Sequence, residues 1–193
     1  GIVIGGIAGS IVGEGAVEVF CEELKNPSPR PPGGYTGGCC FVAGTKIQLA
    51  GGYVKNIEDI QLGDRVVSWD ETDGKIVTGE VTELISPVSS DLTTLVFDKK
   101  ETKNTRDHPF YVKGKGWASV NPDLTKKRYV AFQNLNVVKL EIGDICFELI
   151  DGELHETTLK EINASDAREV QTYNFRVARY HSYFANGILV HNK

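Results

Sequence analysis

The end of the chain places two histidines and an asparagine in an order that could support cleavage of a peptide bond. His191 and Asn192 follow an apolar run at 188–190, which predicts a buried strand that would hold the Asn192 backbone rigidly. An asparagine held in this way can turn its side-chain amide nitrogen onto its own carbonyl carbon, close a succinimide ring and release residue 193. The reaction needs a donor for the developing oxyanion and a base near the amide, and His191 and His181 are the nearest candidates.

Composition restricts the class of protein that carries this ending. A length of 193 residues is enough for one medium domain plus an appendage, and a formal charge of −5 gives no indication of nucleic-acid binding. The 21 glycines, together with many β-branched residues, favour a turn-rich β protein. The four cysteines form no C-x-x-C pair, so no metal site is predicted. Because the sequence begins with glycine rather than methionine, we interpret it as a fragment of a longer protein.

Residues 1–39 are predicted to flank the folded domain. Glycines recur at every fourth position from Gly1 to Gly13, a stripe suited to close helix packing in membranes. The uncharged run ends at Glu14, which is too short to span a bilayer. A membrane-associated helix and a flexible or locally helical extension therefore both remain open. The prolines and glycines of 26–38 predict a linker, and the domain boundary is placed at its end.

The segment from residue 40 to residue 192 is predicted to form strands joined by turns. Alternating apolar residues predict strands at 46–49, 62–70, 75–86 and 91–97, with turns at 51–52 and 72–74, one helical turn within 55–60 and a polar loop at 98–104. Two short patterns then recur in the same order. Leu62-Gly-Asp64 is repeated by Ile142-Gly-Asp144, and His108-x-Phe-Tyr is repeated by His181-x-Tyr-Phe. The repetition predicts one domain of two similar β halves, with His108 and His181 in related positions.

Three blocks of the sequence resemble those of the Hint (hedgehog/intein) superfamily. They are Cys40-Phe-Val-Ala-Gly-Thr45, Thr105-Arg-Asp-His108 and the ending from His181 to Asn192. The resemblance covers residues 40–192 and leaves 1–39 and residue 193 as flanking segments. It implies an all-β horseshoe of two pseudo-symmetric halves whose chain ends meet in one cleft, preceded by the Gly-rich extension. It also implies self-processing without a cofactor, in which the flanking polypeptide is the substrate.

The resemblance assigns a nucleophile to the N-terminal bond. In Hint domains the thiol at the position of Cys40 attacks the preceding carbonyl, here that of Cys39, and converts the peptide bond to a thioester. His108 would protonate the departing Cys40 amine, and the Thr105 hydroxyl would donate a hydrogen bond at the same site. The exchange is uphill in an unstrained peptide, so it needs a distorted bond and donors on the oxyanion.

At the other end, Asn192 would cleave the bond to Lys193 with the help of His191 and His181. Two departures from the family pattern affect the outcome. Many inteins have Tyr-Asp-Leu where this chain has Tyr173-Asn174-Phe175, and splicing requires Cys, Ser or Thr at the position of Lys193. Both departures resemble bacterial intein-like and pretoxin Hint domains, so we expect two cleavages with little or no splicing. The upstream Gly-rich segment also resembles the regions that precede Hint domains in secreted polymorphic toxins, which suggests a secreted or cell-surface bacterial protein.

Several alternatives stay open at this point. A hedgehog-like domain would break only the N-terminal bond, and an inactive β module would serve as a spacer or binding domain in a toxin. A vicinal disulfide between Cys39 and Cys40 would block the nucleophile. Cys146 lies in a predicted strand and either packs in the core or pairs with Cys40 as a redox lock. Apart from its own flanking segments, the domain is expected to be a monomer with no nucleic-acid partner.

Overall fold

The computed structural model describes residues 39–128, 136–165 and 168–192. The glycine stripe, the linker before Cys39 and the final Lys193 lie outside the described residues. The predicted division into 1–39, 40–192 and 193 therefore stays a prediction, as does membrane association of the first twenty residues. Among the described residues, no helix combines the length and the apolar character needed to cross a membrane.

Antiparallel strands make up most of the described chain. In order they are β1 (Phe41–Val42), β2 (Lys46–Gln48), β3 (Val54–Asn56), β4 (Arg65–Asp70), β5 (Lys75–Ile85), β6 (Val88–Ser89), β7 (Leu92–Phe97), β8 (Glu101–Thr105), β9 (Phe110–Val112), β10 (Gly116–Ser119), β11 (Val138–Lys139), β12 (Ile145–Ile150), β13 (Glu153–Ala164), β14 (Val170–Val177), β15 (Ser182–Ala185) and β16 (Ile188–His191). Short 3-10 turns span Ala50–Gly52 and Ile57–Asp59, and an α-helix, α1, spans Pro122–Arg128. The predicted all-β class is confirmed.

The prediction of a polar loop at 98–104 is wrong, because residues 101–104 belong to β8. Residues 101–104 alternate between exposed and buried like an apolar strand, and Thr105 after them is buried as well, but the two buried positions of the alternating stretch are Thr102 and Asn104. These polar side chains pair with each other, since the Thr102 hydroxyl donates to Asn104 Oδ1 at 2.9 Å. Asn104 Nδ2 then donates to the Thr105 carbonyl at 2.9 Å. A buried polar strand is stable when its polar groups are satisfied internally.

Helix α1 was not anticipated from the sequence, and it is held by a local cap. Asn121 Oδ1 accepts the Leu124 N–H at 3.1 Å, and Pro122 stands in the first turn, where its missing N–H costs nothing. The acidic Asp123 lies in the first turn, and basic residues, including Arg128, fill the last, as the helix dipole favours. The helix therefore presents Arg128 at a fixed place beside the sheet.

The two halves of the domain repeat one arrangement around a Gly-Asp turn. Asp64 precedes the hairpin of β4 and β5, and its carboxylate accepts the Gln61 N–H at 2.9 Å and the Lys55 ammonium at 2.8 Å. Asp144 precedes the hairpin of β12 and β13 in the same way, and it accepts the Glu141 N–H at 2.9 Å and the Lys115 ammonium at 2.7 Å. The predicted pseudo-symmetry is therefore confirmed in atomic detail.

Each half completes its sheet with a strand of the other half. The far end of β5 pairs with β14 through Phe175↔Leu84, and the far end of β13 pairs with β7 through Ile162↔Leu95. Both pairings contain one register shift. The halves are thus interlocked and do not form separate units.

The sheet runs in the order β3-β2-β15-β16-β9-β12-β13-β7-β8-β1-β14-β5-β4. Its two ends approach each other through a bridge between Leu49 and Val66. Fully buried aromatic side chains fill the interior, namely Phe41, Phe97, Phe110, Phe175 and Tyr183. Burial of each such ring contributes about 1.5–3 kcal/mol. Because Phe41 directly follows Cys40, this core also fixes the backbone at the start of the domain.

Candidate functional site

The peptide bond between Cys39 and Cys40 is enclosed by the sheet. Both residues are fully buried. Thr105 forms two hydrogen bonds with Cys40. The Thr105 hydroxyl oxygen accepts the Cys40 N–H at 2.9 Å, and the Thr105 N–H donates to the Cys40 carbonyl at 2.9 Å. The Thr105 hydroxyl therefore faces the amide nitrogen of the predicted scissile bond as a hydrogen-bond acceptor, whereas the sequence predicts a donor there.

Cys39 is held in a strained backbone conformation. Its φ is +56°, in the left-handed region that costs a side-chain-bearing residue about 1–2 kcal/mol. The Cys39 N–H donates to Asp107 Oδ1 at 3.0 Å, and the Cys39 thiol donates to the Asp107 carbonyl at 3.1 Å. Asp107 in turn pairs with Arg128 of α1 at 3.1 Å. Since Cys39 is a thiol, the vicinal disulfide with Cys40 is not formed.

The carbonyl oxygen of Cys39 accepts a hydrogen bond from Asn174 Nδ2. The other side of that amide is fixed, because Asn174 Oδ1 accepts the Phe175 N–H at 2.8 Å and the Tyr183 hydroxyl at 2.9 Å. Burial raises the pKa of Tyr183 well above its ordinary value, with smaller contributions from Cys40 and Cys39, so the hydroxyl stays a donor. In the sequence Asn174 stands out only as a departure from the intein pattern, and nothing there predicts its contact with Cys39.

His108 occupies an aromatic box beside this peptide bond. Its ring centroid lies 4.3 Å from that of Phe41, 5.9 Å from that of Phe110 and 6.4 Å from that of Tyr183. Burial lowers the pKa of His108 to about 3, although nearby backbone groups of Cys39 and His191 favour its protonation. Neither ring nitrogen has a hydrogen-bond partner within the part of the chain that the structure describes. The low pKa keeps the imidazole neutral. Backbone groups of Cys39 and His191 lie near the ring, but none of them reaches hydrogen-bond geometry with either nitrogen.

At the other end of the domain, Asn192 is fully buried. Its backbone N–H donates to the His181 carbonyl at 2.9 Å. In the orientation that satisfies both ends of its side-chain amide, Nδ2 donates to the same carbonyl at 3.2 Å and Oδ1 accepts the Val177 N–H. The predicted strand at 188–190 is present as β16, so the backbone is held as the sequence indicates.

His191 contacts the carbonyl of the bond that Asn192 would break. Its Nδ1 lies in hydrogen-bond contact with the Asn192 carbonyl oxygen, and because a carbonyl can only accept, Nδ1 carries the hydrogen. Burial lowers the pKa of His191 to about 4, which keeps the ring neutral. The ring meets Trp117 edge-on at 4.7 Å and stacks on His181, with ring centroids 6.3 Å apart.

The structure brings the predicted residues together in two adjoining groups. Cys40, Thr105 and His108 surround the first peptide bond, while His181, His191 and Asn192 surround the last. The groups meet where the His191 N–H donates to the carbonyl of Pro109, the residue after His108. Asp107 was also missed, although it stands inside the Thr105-x-x-His108 block.

Cys146 lies outside these two groups of residues. Cys146 belongs to the hydrophobic core and is not in a disulfide, which agrees with a packing role. Burial raises the pKa of its thiol to about 12. No group of three or more His, Cys, Asp and Glu side chains in the described ranges could hold a metal ion.

Comparison with known families places the chain by sequence. The family model for the Ataxin-1 and HBP1 module (AXH) matches residues 41–151, which is more than half of the chain. The chain belongs to the AXH family. The match begins directly after Cys40 and includes β1 through β12, so it contains Thr105 and His108 but not Asn174 or Asn192.

Curated relatives of this AXH chain are similar over most of its length. It is 27% identical to Ataxin-1-like of Mus musculus over 162 residues, covering 80% of this chain and 23% of that protein. It is 28% identical to Ataxin-1 of Homo sapiens over 156 residues, covering 77% of this chain and 18% of that protein. The chain therefore spans less than a quarter of the length of these curated relatives.

Solved structures similar to the AXH chain include a bacterial intein-like domain and several inteins. The bacterial intein-like domain from Clostridium thermocellum is 30% identical with a TM-score of 0.65, covering 81% of this chain and all of that one. The PabCDC21-1 intein has a TM-score of 0.65 at 18% identity, covering 81% of this chain and all of that one. Ssp DnaB mini-intein variant M86 has a TM-score of 0.63 at 15% identity, covering 81% and 95%. The fold is therefore the Hint-like fold predicted from the sequence blocks.

Proposed function

We propose that the domain cleaves its own chain at both ends, after Cys39 and after Asn192. The observation that carries the proposal is the state of His108. A buried imidazole with neither nitrogen paired costs stability, and it lies against the peptide that follows a strained Cys39. If His108 only filled space in the core, an apolar side chain would do so without leaving a buried polar atom unpaired. A neutral imidazole is the group that can accept and return a proton there.

The N-terminal step begins with attack of the Cys40 sulfur on the Cys39 carbonyl carbon. Collapse of the tetrahedral intermediate breaks the bond to the Cys40 nitrogen, which receives the proton lost by the thiol through His108. A thioester and an amine result. Thr105 accepts the Cys40 N–H and so fixes the direction of the nitrogen lone pair. Strain at Cys39 is relieved as the bond opens, which offsets part of the uphill exchange.

The C-terminal step uses Asn192 as its own nucleophile. Its Nδ2 attacks its own carbonyl carbon, and His191 Nδ1 donates to the oxygen on which negative charge develops. The bond to Lys193 breaks, the leaving amine takes a proton, and a succinimide remains on the domain. His181 supports the site by accepting the Asn192 N–H and by stacking on His191.

The expected products are separate fragments, because Lys193 offers neither thiol nor hydroxyl to the thioester. Water or an added thiol would release the upstream piece. The likeness to the bacterial intein-like domain, the absence of an acceptor at position 193 and the segment before Cys39 all support a processing module of a larger bacterial protein.

The test uses the chain with a tag at each end and intact mass spectrometry with and without dithiothreitol. Cys40→Ala should abolish thiol-induced cleavage after Cys39 and spare release at Asn192, and Asn192→Ala should do the reverse. If Cys40→Ala left thiol-induced cleavage unchanged, the nucleophile would be wrongly assigned. N-terminal cleavage alone would instead favour the hedgehog-like reaction.

A second candidate is a β module that does not cleave. Its support is membership of the AXH family together with similarity to Ataxin-1 and Ataxin-1-like. In that case His108 and Asn192 would be structural, and the wild-type chain would keep both flanking segments under every condition of the same experiment. Prolonged incubation with dithiothreitol and hydroxylamine, followed by an unchanged mass, would decide for this module.

A further inference from the structure

The carbonyl oxygen of Cys39 already has a side-chain hydrogen-bond donor in the uncleaved chain. Asn174 lies in β14, 135 residues away along the sequence, and its Nδ2 points at this oxygen. Both partners are buried, with Asn174 only 3% exposed. A hydrogen bond in such a site strengthens as its acceptor gains negative charge, because no water competes for the donor.

We propose that Asn174 is a catalytic residue of the N-terminal step, as the donor to the oxyanion, and that Tyr183 is the residue that positions it. The inference rests on the proposed self-cleavage at Cys40. In that reaction the Cys40 sulfur bonds to the Cys39 carbonyl carbon, the carbonyl electron pair moves to oxygen, and Asn174 Nδ2 donates to it. When the carbon–nitrogen bond breaks, the electron pair returns and the donor again faces a neutral carbonyl.

The orientation of the amide is fixed, which is what a preorganised donor needs. Asn174 Oδ1 accepts two hydrogen bonds, from the Phe175 N–H at 2.8 Å and from the Tyr183 hydroxyl at 2.9 Å. An oxygen with two donors cannot exchange places with Nδ2 without losing both. The –NH₂ group is therefore held toward Cys39 before the reaction starts.

The pseudo-symmetry shows that the Tyr183 hydroxyl is not needed for packing. The two copies of the His-x-aromatic-aromatic pattern place Tyr183 in the second half where Phe110 stands in the first. Both rings are fully buried in the same core. The hydroxyl that Tyr183 carries and Phe110 lacks donates a hydrogen bond to Asn174 Oδ1. Asn174 in turn donates to the carbonyl oxygen of Cys39.

The decisive variant is Asn174→Asp, because it keeps the size and the acceptor oxygen while it removes the donor. Thiol-induced cleavage after Cys39 should slow by about 10²–10³-fold, the typical loss for one oxyanion donor. Release at Asn192 in the same molecules serves as the internal control and should keep its rate. Asn174→Ala, checked by thermal melting, separates loss of the donor from the introduced negative charge and should slow the same step.

Tyr183→Phe tests the positioning role, with Tyr111→Phe as the matched control in the neighbouring aromatic cluster. Tyr183→Phe should slow N-terminal cleavage about tenfold, whereas Tyr111→Phe should leave it unchanged. The double variant Asn174→Ala/Tyr183→Phe should be no slower than Asn174→Ala alone. A purely structural hydroxyl would give additive losses, so additivity would overturn the positioning role.

The outcomes also separate this inference from the proposed function. If the wild-type chain shows no Cys40-dependent cleavage, the proposed function fails and this inference fails with it. If the wild-type chain cleaves and Asn174→Asp and Asn174→Ala cleave within about threefold of it, only the role of Asn174 is overturned.

Discussion

Cys39 combines a strained backbone with the carbonyl that the proposed reaction attacks, so its substitution tests whether the strain contributes to cleavage. Cys39→Gly removes the cost of the positive φ, and Cys39→Ala keeps that cost while it removes the same thiol contact with Asp107. We expect Cys39→Gly to unfold at a higher temperature and to form the thioester about five- to tenfold more slowly than Cys39→Ala. Equal cleavage rates for the two variants would show that the strain does not contribute. Rates come from thiol-induced cleavage followed by mass spectrometry.

His108 makes a sharper prediction at the same scale. General acid–base help is typically worth about 10²–10⁴-fold, so His108→Ala should slow N-terminal cleavage by that order and leave release at Asn192 intact. The measurement is a single-turnover time course with a melting curve for each variant. An effect within threefold on a folded variant would return His108 to a packing role.

The lowered pKa values of the two buried histidines predict how stability depends on pH. Below the ordinary histidine pKa of 6.5, both histidines bind protons in the unfolded chain. In the folded chain His108 binds a proton only near pH 3 and His191 only near pH 4. Stability is therefore fully present above pH 6.5 and falls as the pH drops toward these values. His108→Phe should reduce the loss of the urea midpoint between pH 7.5 and 5.5. An unchanged pH dependence in His108→Phe would contradict the buried, neutral state.

Six of the residues at the two sites could be located from sequence because their signals are local. Thr105 and His108 are three positions apart, and His191 and Asn192 are neighbours at the end of an apolar strand. Asn174 could not be assigned in this way, since its contact with Cys39 depends on two strands that meet only in the folded sheet. Spacing predicts partners within one element, and tertiary packing supplies the others.

Among the elements, β5 carries the crossing between the halves and places a glycine where it meets β14. A Cβ at Gly79 would lie 2.2 Å from Val177 Cγ1. Gly79→Ala should therefore destabilise the domain by about 1–3 kcal/mol, the usual cost of overpacking. Val177→Ala removes the clashing methyl, so the double variant should be more stable than the sum of the two single losses predicts. Strict additivity in urea unfolding would contradict this contact.

Alternation predicted the strands with apolar inner faces, and it failed where the inner face is polar or the element is short. Ile47 and Phe97 reveal β2 and β7, whereas β8 turns Thr102 and Asn104 inward. Helix α1 is too short for a helical period to stand out. The missed elements carry Thr105 and Arg128, so the least predictable parts of the fold support the first site.

For the whole molecule, the identity of residue 193 should decide between cleavage and ligation. Lys193→Cys supplies a thiol that can accept the acyl group from Cys40, and it should raise the ligated fraction in a chain tagged at both ends. A protonated lysine ammonium is a poor nucleophile at neutral pH, so the unaltered chain should yield fragments. Equal ligation by both forms, read from intact masses, would make the domain a splicing element.

Because the halves exchange strands, the order of synthesis determines when the first site can be completed. During translation the Cys39–Cys40 bond is made early, but β14, which covers it, and β16, which completes the neighbouring site, are made last. The first half cannot complete its sheet alone, because β5 and β7 wait for partners on the later half. In the proposed reaction the nascent chain would therefore stay uncleaved until residues up to 191 have been made, and a segment upstream of Cys39 would have that time to fold before its release.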